Sequence, residues 1–399
     1  MHASAPTPFP VPEPPPRLDS VDALRGLVMV FMALDHTRDF FSNYQGDPVD
    51  PATTDAALFF TRWITHFCAP VFVFLAGTGA YFYGRRGRTP SELRRFLFTR
   101  GLWLIVLEAT LVRWGWRFSG GGGMYEGQVI WALGVSMIVL GALLFLGWRG
   151  LLAFGLALVA LHDTLDGVRW ETPGWRAGLW SVLHEPRPVD LGGGFGFFPL
   201  YPLVPWIGVM PLGFAFGVLM ERPGPERRRG LIRIAIVAVV LFAALRLTNL
   251  YGDPVAWTSQ ATPMRTVFSF LNLNKYPPSL LFLLATLGPA LGVLAVFDAF
   301  ASRVPRWLVT LGRVPLFYYL AHLYLIHAAA GIVAWLTGRH EHARWVWRSA
   351  FFEGAPPGYG YPLWVVYLVW VALVALLYPA CRAYAKFKKR SRHPVLSYL

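Results

Sequence analysis

The chain has 399 residues, 55% of them hydrophobic and 16% aromatic but only 15% charged, with a mean hydropathy of +0.45. That balance excludes a soluble globule and describes an all-α polytopic integral membrane protein. A net charge of +14 would suggest nucleic acid in a soluble chain, but here the basic residues sit in short loops between apolar runs, where they report orientation, and no nucleic-acid partner is expected.

Residues 1–16 form a proline-rich tail, Pro6 to Pro16, without the basic and apolar regions of a cleavable signal peptide. Ten apolar stretches then follow, each long enough to cross about 30 Å of hydrocarbon. They are 21–41, 60–84, 96–116, 128–146, 150–166, 199–220, 230–250, 278–300, 307–336 and 361–384, the fifth interrupted by His162 and Asp163. Arg17, Arg85, Arg86, Arg88, Arg94, Arg95, Arg149, Arg222, Arg227 to Arg229, Arg303, Arg306 and the tail Lys386 to Arg392 fall on one side, whereas the loop from Ser42 to Ala57 carries only Asp47, Asp50 and Asp55. The positive-inside rule puts both termini in the cytoplasm, which requires an even number of spans. One transmembrane domain, 17–384, with a basic cytoplasmic tail, 385–399, is therefore expected. The longer outer segments 167–198, 251–277 and 337–360 are rich in Gly, Pro, Trp and Tyr and read as re-entrant or interfacial structure. Gly120 to Gly123 lacks the lysine and hydroxyl of a phosphate loop and reads as a flexible connection. Cys68 and Cys381 both lie in apolar runs, so neither a disulfide nor a metal site is predicted.

The first span is unusual because ionisable side chains occupy both of its ends, and charge inside a bilayer is costly. On a helical wheel Asp22, Arg25, Met29, Met32, His36 and Asp39 form one stripe, with Asp35 at its edge. At 1.5 Å per residue His36 lies roughly 22 Å from the cytoplasmic end. Arg62 and His66 on the second span, Glu108 and Arg113 on the third, and His322 and His327 on the ninth fall at a similar depth. Arg25, Arg95 and Arg100 lie in or near the inner half. Two polar layers suggest inner arginines that hold an anionic donor, since a guanidinium offers a planar fork to phosphate, and outer groups that treat an acceptor. His36 with Asp35 and Asp39 has the spacing of a general base oriented by a carboxylate. Arg62, His66 and Tyr125 are depth-compatible donors to an oxyanion. Lys275 in Lys275-Tyr276-Pro277-Pro278-Ser279 opens the eighth span from outside, as an interfacial anchor or a grip on an anionic acceptor.

Four motifs, Ser20-Val-Asp22-Ala-Leu-Arg25-Gly26, Phe67-Cys-Ala-Pro70-Val-Phe-Val-Phe74-Leu-Ala-Gly77, Asn274-Lys275-Tyr276-Pro277-Pro278-Ser279-Leu280 and Leu311-Gly312-Arg313-Val-Pro315 through His322, occur in order along the chain. Together they resemble the catalytic domain of heparan-α-glucosaminide N-acetyltransferase and its bacterial relatives. Asp22-x-Leu-Arg25 followed by His36 is also similar, more distantly, to the first helix of the acyltransferase type 3 membrane family. These resemblances imply transfer of an acyl group, usually acetyl from cytoplasmic acetyl-CoA, to a hydroxyl or amine of a sugar or glycolipid at the far face. In the lysosomal enzyme the active histidine lies in the region after the first helix, but no histidine occurs between Asn43 and Asp55. The catalytic role passes to His36 by the second resemblance.

The resulting expectation is a membrane O- or N-acetyltransferase in a bacterial inner membrane, in company with lipid and compatible with a homo-oligomer. His36, Asp35, Asp39 and His66 are its catalytic candidates. Arg25, Arg95 and Arg100 would hold the donor, and Arg62, Lys275, Tyr276 and His322 the acceptor. Two other classes fit the same residues: a transporter of an envelope precursor, and an electron-transfer protein with haem held by His66 and His322.

Overall fold

The computed structural model describes residues 17–119, 123–172, 174–348 and 354–391. The proline-rich tail 1–16, Gly120 to Gly122 of the glycine loop and the last part of the basic tail, 392–399, lie outside the described residues.

The chain runs through α1 (Asp19–Phe41), α2 (Ala56–Thr65), α3 (Cys68–Gly84), α4 (Pro90–Leu107), α5 (Arg113–Arg117), β1 (Met124–Glu126), α6 (Val129–Leu143), α7 (Gly147–Leu161), α8 (Trp175–Leu183), β2 (Val189–Gly192), β3 (Phe195–Phe198), α9 (Leu203–Met220), α10 (Gly224–Thr248), α11 (Pro263–Leu271), α12 (Leu280–Ala299), α13 (Arg306–Gly312), α14 (Pro315–Leu336), α15 (His340–Arg348) and α16 (Leu363–Arg390). Among the described residues seven helical stretches are long and apolar enough to cross a membrane. Helix α1, with Asp22, Arg25, Asp35, Arg38 and Asp39, and α4, with Glu92, Arg94, Arg95 and Arg100, carry too much charge to count among them.

All ten apolar stretches are helical, but three are broken where the sequence suggests continuity. The second divides into α2 and α3 at His66–Phe67. The third passes through a π-helical turn, Glu108–Val112, before α5. The ninth divides at Arg313–Val314, because Pro315 starts a new helix at its first position. The fourth and fifth stretches join around Gly147, whose φ of +64° ends one helix and starts the next. The segment 167–198 holds α8 and the hairpin β2–β3, and β1 pairs in parallel with β3 to complete a small sheet in the order β1-β3-β2.

Apolar helices gain little from leaving lipid for one another, so they associate where small residues let backbones touch. At the crossing of α3 and α9 a Cβ on Gly213 would lie 1.8 Å from the Phe74 carbonyl, and one on Gly77 2.0 Å from that of Met210. The crossing of α1 and α13 is as tight: a Cβ on Gly312 would lie 1.8 Å from the Asp22 carbonyl. Buried polar groups complete the frame. The Glu108 carboxylate accepts from the backbone N–H of Trp131 at 2.9 Å, so the π-helical turn caps the otherwise orphaned start of α6. Asp163 does the same for α12, accepting from Leu280 N–H at 2.9 Å. At the end of α1 that bears Arg17, Asp22 accepts from Arg17 and Arg25, and Asp19 from Arg306 and Arg313.

The close crossings make one expectation testable. Gly213→Val should lower stability by about 2 kcal/mol or more, the cost of overpacking a contact that cannot open. Gly292→Ala, where the nearest atom is 3.9 Å away, should leave the unfolding temperature in detergent unchanged. Equal behaviour of the two variants would contradict the packing account.

Candidate active site

His36 lies in the last two turns of α1, and its Nδ1 is 2.8 Å from Nε2 of His322 on α14. The planes of the two imidazoles lie within 14° of parallel with their centres 5.0 Å apart, and Trp116 of α5 packs edge-on against His36 at 4.8 Å between ring centres. His322 is fully buried, and its Nδ1 donates to the Tyr318 carbonyl at 2.9 Å. Both of its ring nitrogens are therefore committed to the protein. That leaves none for an iron ligand and none for an acceptor, so the roles suggested by sequence for His322 give way to a contact with His36.

The carboxylates expected to orient His36 do not bond its ring. Asp35 receives Arg62 of α2 at 2.6 and 2.7 Å and Arg38 at 3.1 Å, and Asp39 receives Arg38 at 2.5 Å. The reason is competition in a dry setting: the Arg38 and Arg62 side chains retain only 11% and 15% of their exposure. An unpaired guanidinium there would cost far more than an unpaired neutral imidazole. Asp35 thus fastens α1 to α2, and Arg62 serves first as its counter-ion.

His66 sits at the break between α2 and α3, buried, with its ring 5.3 Å from that of Phe282. Lys275 and Tyr276 belong to the turn that leads into α12, and Lys275 lies within electrostatic reach of Asp35, Asp39, His36 and His66. This turn is held from below. Asp253 accepts from Asn274 N–H at 2.9 Å and from Ser279 Oγ at 2.7 Å, while Asn274 Nδ2 donates to the Pro277 carbonyl. Arg246, 1% exposed, donates to the carbonyls of Val255, Ser269, Phe270 and Asn272 and so ties down the preceding loop. Burial alone would raise the Tyr276 phenol, but the Lys275 ammonium, the Arg62 guanidinium and a hydrogen bond from Tyr201 hold it below the ordinary phenol range.

A cavity of about 360 Å³ runs from the end of the bundle that bears Arg17 to Met32 and Tyr319, beside this cluster. Arg17, Arg25, Arg86, Arg100 and Lys388 lie at that end, and Met29, Phe72, Leu75, Leu104 and Met137 wall its middle. Its far lining includes Met32, one turn before His36 on the same helix face, and Tyr319, whose ring centre is 6.5 Å from that of His36. Along α3 alone the lining runs from Phe72 to Tyr83, roughly 16 Å of helix, and Arg86 follows just past its end.

Of the arginines expected at the donor side, Arg25 and Arg100 line the cavity, and Arg25 also donates to Asp22 and the Gly312 carbonyl. Arg95 is exposed and not part of the lining. Arg17, Arg86 and Lys388 were legible in sequence only as orientation charges, and Tyr319 carried no signal beyond its place in the fourth motif. The remaining residues at this predicted depth serve the frame. Glu108 caps α6, and Arg113 stacks on Tyr125 at 4.5 Å. His327 faces the carbonyls of Gly115 and Val346 at 2.8 Å each. Among the described residues no three His, Cys, Asp or Glu side chains form a metal-ligand group.

A family model described as heparan-alpha-glucosaminide N-acetyltransferase, catalytic, matches residues 17–245, more than half of the chain. No curated protein matches it. The matched region contains His36, Arg62, His66 and most of the cavity wall, whereas Lys275, Tyr276, Tyr319 and His322 lie beyond it.

The Asp35–Arg62 pair has a distinctive expected signature. Arg62→Met leaves a carboxylate short of a counter-ion and should cost about 3 kcal/mol, and adding Asp35→Asn should restore at least about 1 kcal/mol by removing the orphaned charge. Thermal unfolding of the single and double variants measures this, and strictly additive losses would mean that the two side chains do not depend on each other.

Proposed function

The chain belongs to the heparan-α-glucosaminide N-acetyltransferase catalytic family, and from that premise we propose that it moves an acetyl group from cytoplasmic acetyl-CoA to a hydroxyl or amine of a sugar or glycolipid on the opposite face of a bacterial plasma membrane. The observation that carries this reading is the cavity, basic at one end and closed at the other by Met32 and Tyr319, the neighbours of His36. Ten membrane crossings with both termini in the cytoplasm accompany it, since the positive-inside rule assigns the end bearing Arg17, Arg86 and Lys388 to the cytosol. A single catalytic unit per chain, surrounded by lipid, suffices for the scheme, and a homo-oligomer is compatible with it.

The lining fits the donor in kind. Guanidinium forks at Arg17, Arg25, Arg86 and Arg100, with the Lys388 ammonium, match a nucleotide rich in phosphate. Neutral thioether, aliphatic and aromatic walls match an uncharged arm. Acetyl-CoA supplies a thioester, an acyl group already activated towards attack by oxygen or nitrogen. His36 takes the proton from the attacking hydroxyl or amine as the acceptor's bond to the acyl carbon forms and the carbon–sulfur bond breaks, and it returns that proton to the departing sulfur. The proton balance of the reaction is thus closed by one side chain. Arg62, Lys275, Tyr276 and His66 border the side from which the acceptor arrives, and the positive charge of Arg62 and Lys275 there favours an oxyanion over a neutral carbonyl. Asp35 and Asp39 act through Arg62 and Arg38, setting where those cations stand.

Purified protein incubated with labelled acetyl-CoA and glucosamine or a neutral polyol tests the assignment. His36→Ala should lower transfer at least about 100-fold. Arg100→Ala should raise the donor KM about tenfold and leave kcat within about twofold, because it removes binding that is equal in the ground and transition states. Transfer unaffected by His36→Ala would end the proposal, and a loss in kcat alone would move Arg100 out of donor binding.

A further inference from the structure

The hydrogen bonds around His322 determine which nitrogen of His36 is basic. The Tyr318 carbonyl can only accept, so His322 Nδ1, 2.9 Å away, carries a hydrogen. A neutral imidazole has one N–H, and Nε2 of His322 therefore presents a lone pair. The atom facing it at 2.8 Å is Nδ1 of His36, which must be the donor. Neutral His36 then has its own lone pair on Nε2, the nitrogen turned away from His322, and no hydrogen bond engages Nε2 among the described residues. Neither ring has a carboxylate partner, since Asp35 and Asp39 are occupied by Arg38 and Arg62.

From this geometry we infer that His322 is a positioning residue: it fixes His36 as the Nδ1–H tautomer, leaves Nε2 as the base, and shares the proton that His36 takes up. The inference rests on the reading of His36 as the base of acetyl transfer and extends it by naming the group that orients that base without a carboxylate. When Nε2 of His36 accepts a proton, the Nδ1 proton can shift across the 2.8 Å contact to Nε2 of His322. His36 is then neutral with its hydrogen on Nε2, and the positive charge rests on His322, against the Tyr318 carbonyl dipole. Return of both protons restores the starting tautomers when the sulfur is protonated, so the pair takes up and gives back one proton per cycle with nothing left over. A carbonyl dipole stabilises the cation less than a carboxylate does, which keeps the pair a ready donor to the leaving sulfur. The near-parallel planes of the His36 and His322 rings, 14° apart, with Tyr318 packed at 5.3 Å from His322, hold the alignment that the shift requires.

Nitrogen-15 NMR of histidine-labelled protein without donor, with the His36 signals assigned by their loss in His36→Gln, reads the tautomer directly and does not depend on turnover. The wild type should show His36 protonated at Nδ1 and bare at Nε2 at neutral pH. In His322→Leu the tautomer should redistribute towards Nε2–H, and transfer should fall at least about 100-fold with the acetyl-CoA KM within about twofold. In His322→Gln the side-chain carbonyl can still accept from His36 Nδ1, so the tautomer should persist and transfer should stay within about tenfold of wild type. A His36 that keeps its Nδ1 proton in His322→Leu, or a glutamine variant as inactive as the leucine variant, overturns the inference. Transfer that survives His36→Ala overturns instead the reading on which it rests, and the NMR result still decides whether His322 sets the tautomer.

Discussion

Helix α1 carries Asp19, Asp22, Arg25, Asp35, His36, Arg38 and Asp39 through a largely apolar bundle, and those groups are met by other side chains of the protein. The matching is local at both ends. Near Arg17 the acids are met by Arg17, Arg25, Arg306 and Arg313, which brings α13 against α1. At the far end Asp35 and Asp39 are met by Arg62 and Arg38, which brings α2 in, and His36 is met by His322, which brings in α14. Charge matching thus decides which helices surround α1, and the glycine crossings decide how close they come.

The same matching explains why the histidine at the end of the cavity is oriented by another histidine. Two guanidiniums with little access to solvent claim the nearby carboxylates, because a buried unpaired cation is the costliest alternative available. What remains for His36 is a neutral partner. The consequence is a hydrogen-bonded pair of imidazoles backed by a backbone carbonyl, while the fixed charges of Arg62 and Lys275 stand around it without bonding it.

Local irregularities in the helices serve this arrangement. The break at His66 and Phe67 turns a buried ring towards Phe282, the π-helical turn at Glu108–Val112 aims a carboxylate at the start of α6, and the break before Pro315 allows α13 to lie along α1 while α14 begins afresh towards His322. Outside the helices, Asp253 and Arg246 do comparable work: they satisfy seven backbone and side-chain groups of the 253–279 connection between them, and so deliver Lys275 and Tyr276 to the cluster.

The sequence by itself determined the membrane class, the ten apolar stretches, the exceptional charge of the first of them, His36 as its single histidine and the family to which the motifs point. These are properties of composition, of period along one helix and of local residue order, and each can be read without knowing what lies opposite. It also grouped Arg62 and His66 with His36, and Arg25 with Arg100, because rise per residue converts position into depth. Only the tertiary structure decided partners. That Asp35 belongs to Arg62, that His36 belongs to His322, that Arg95 lies off the cavity while Arg17, Arg86 and Lys388 line it, and that His327 is held by two carbonyls all depend on the rotation of one helix about its axis relative to another. Depth is fixed by the chain, but azimuth is fixed by packing, and it is azimuth that chooses among several charged and hydrogen-bonding groups at the same level.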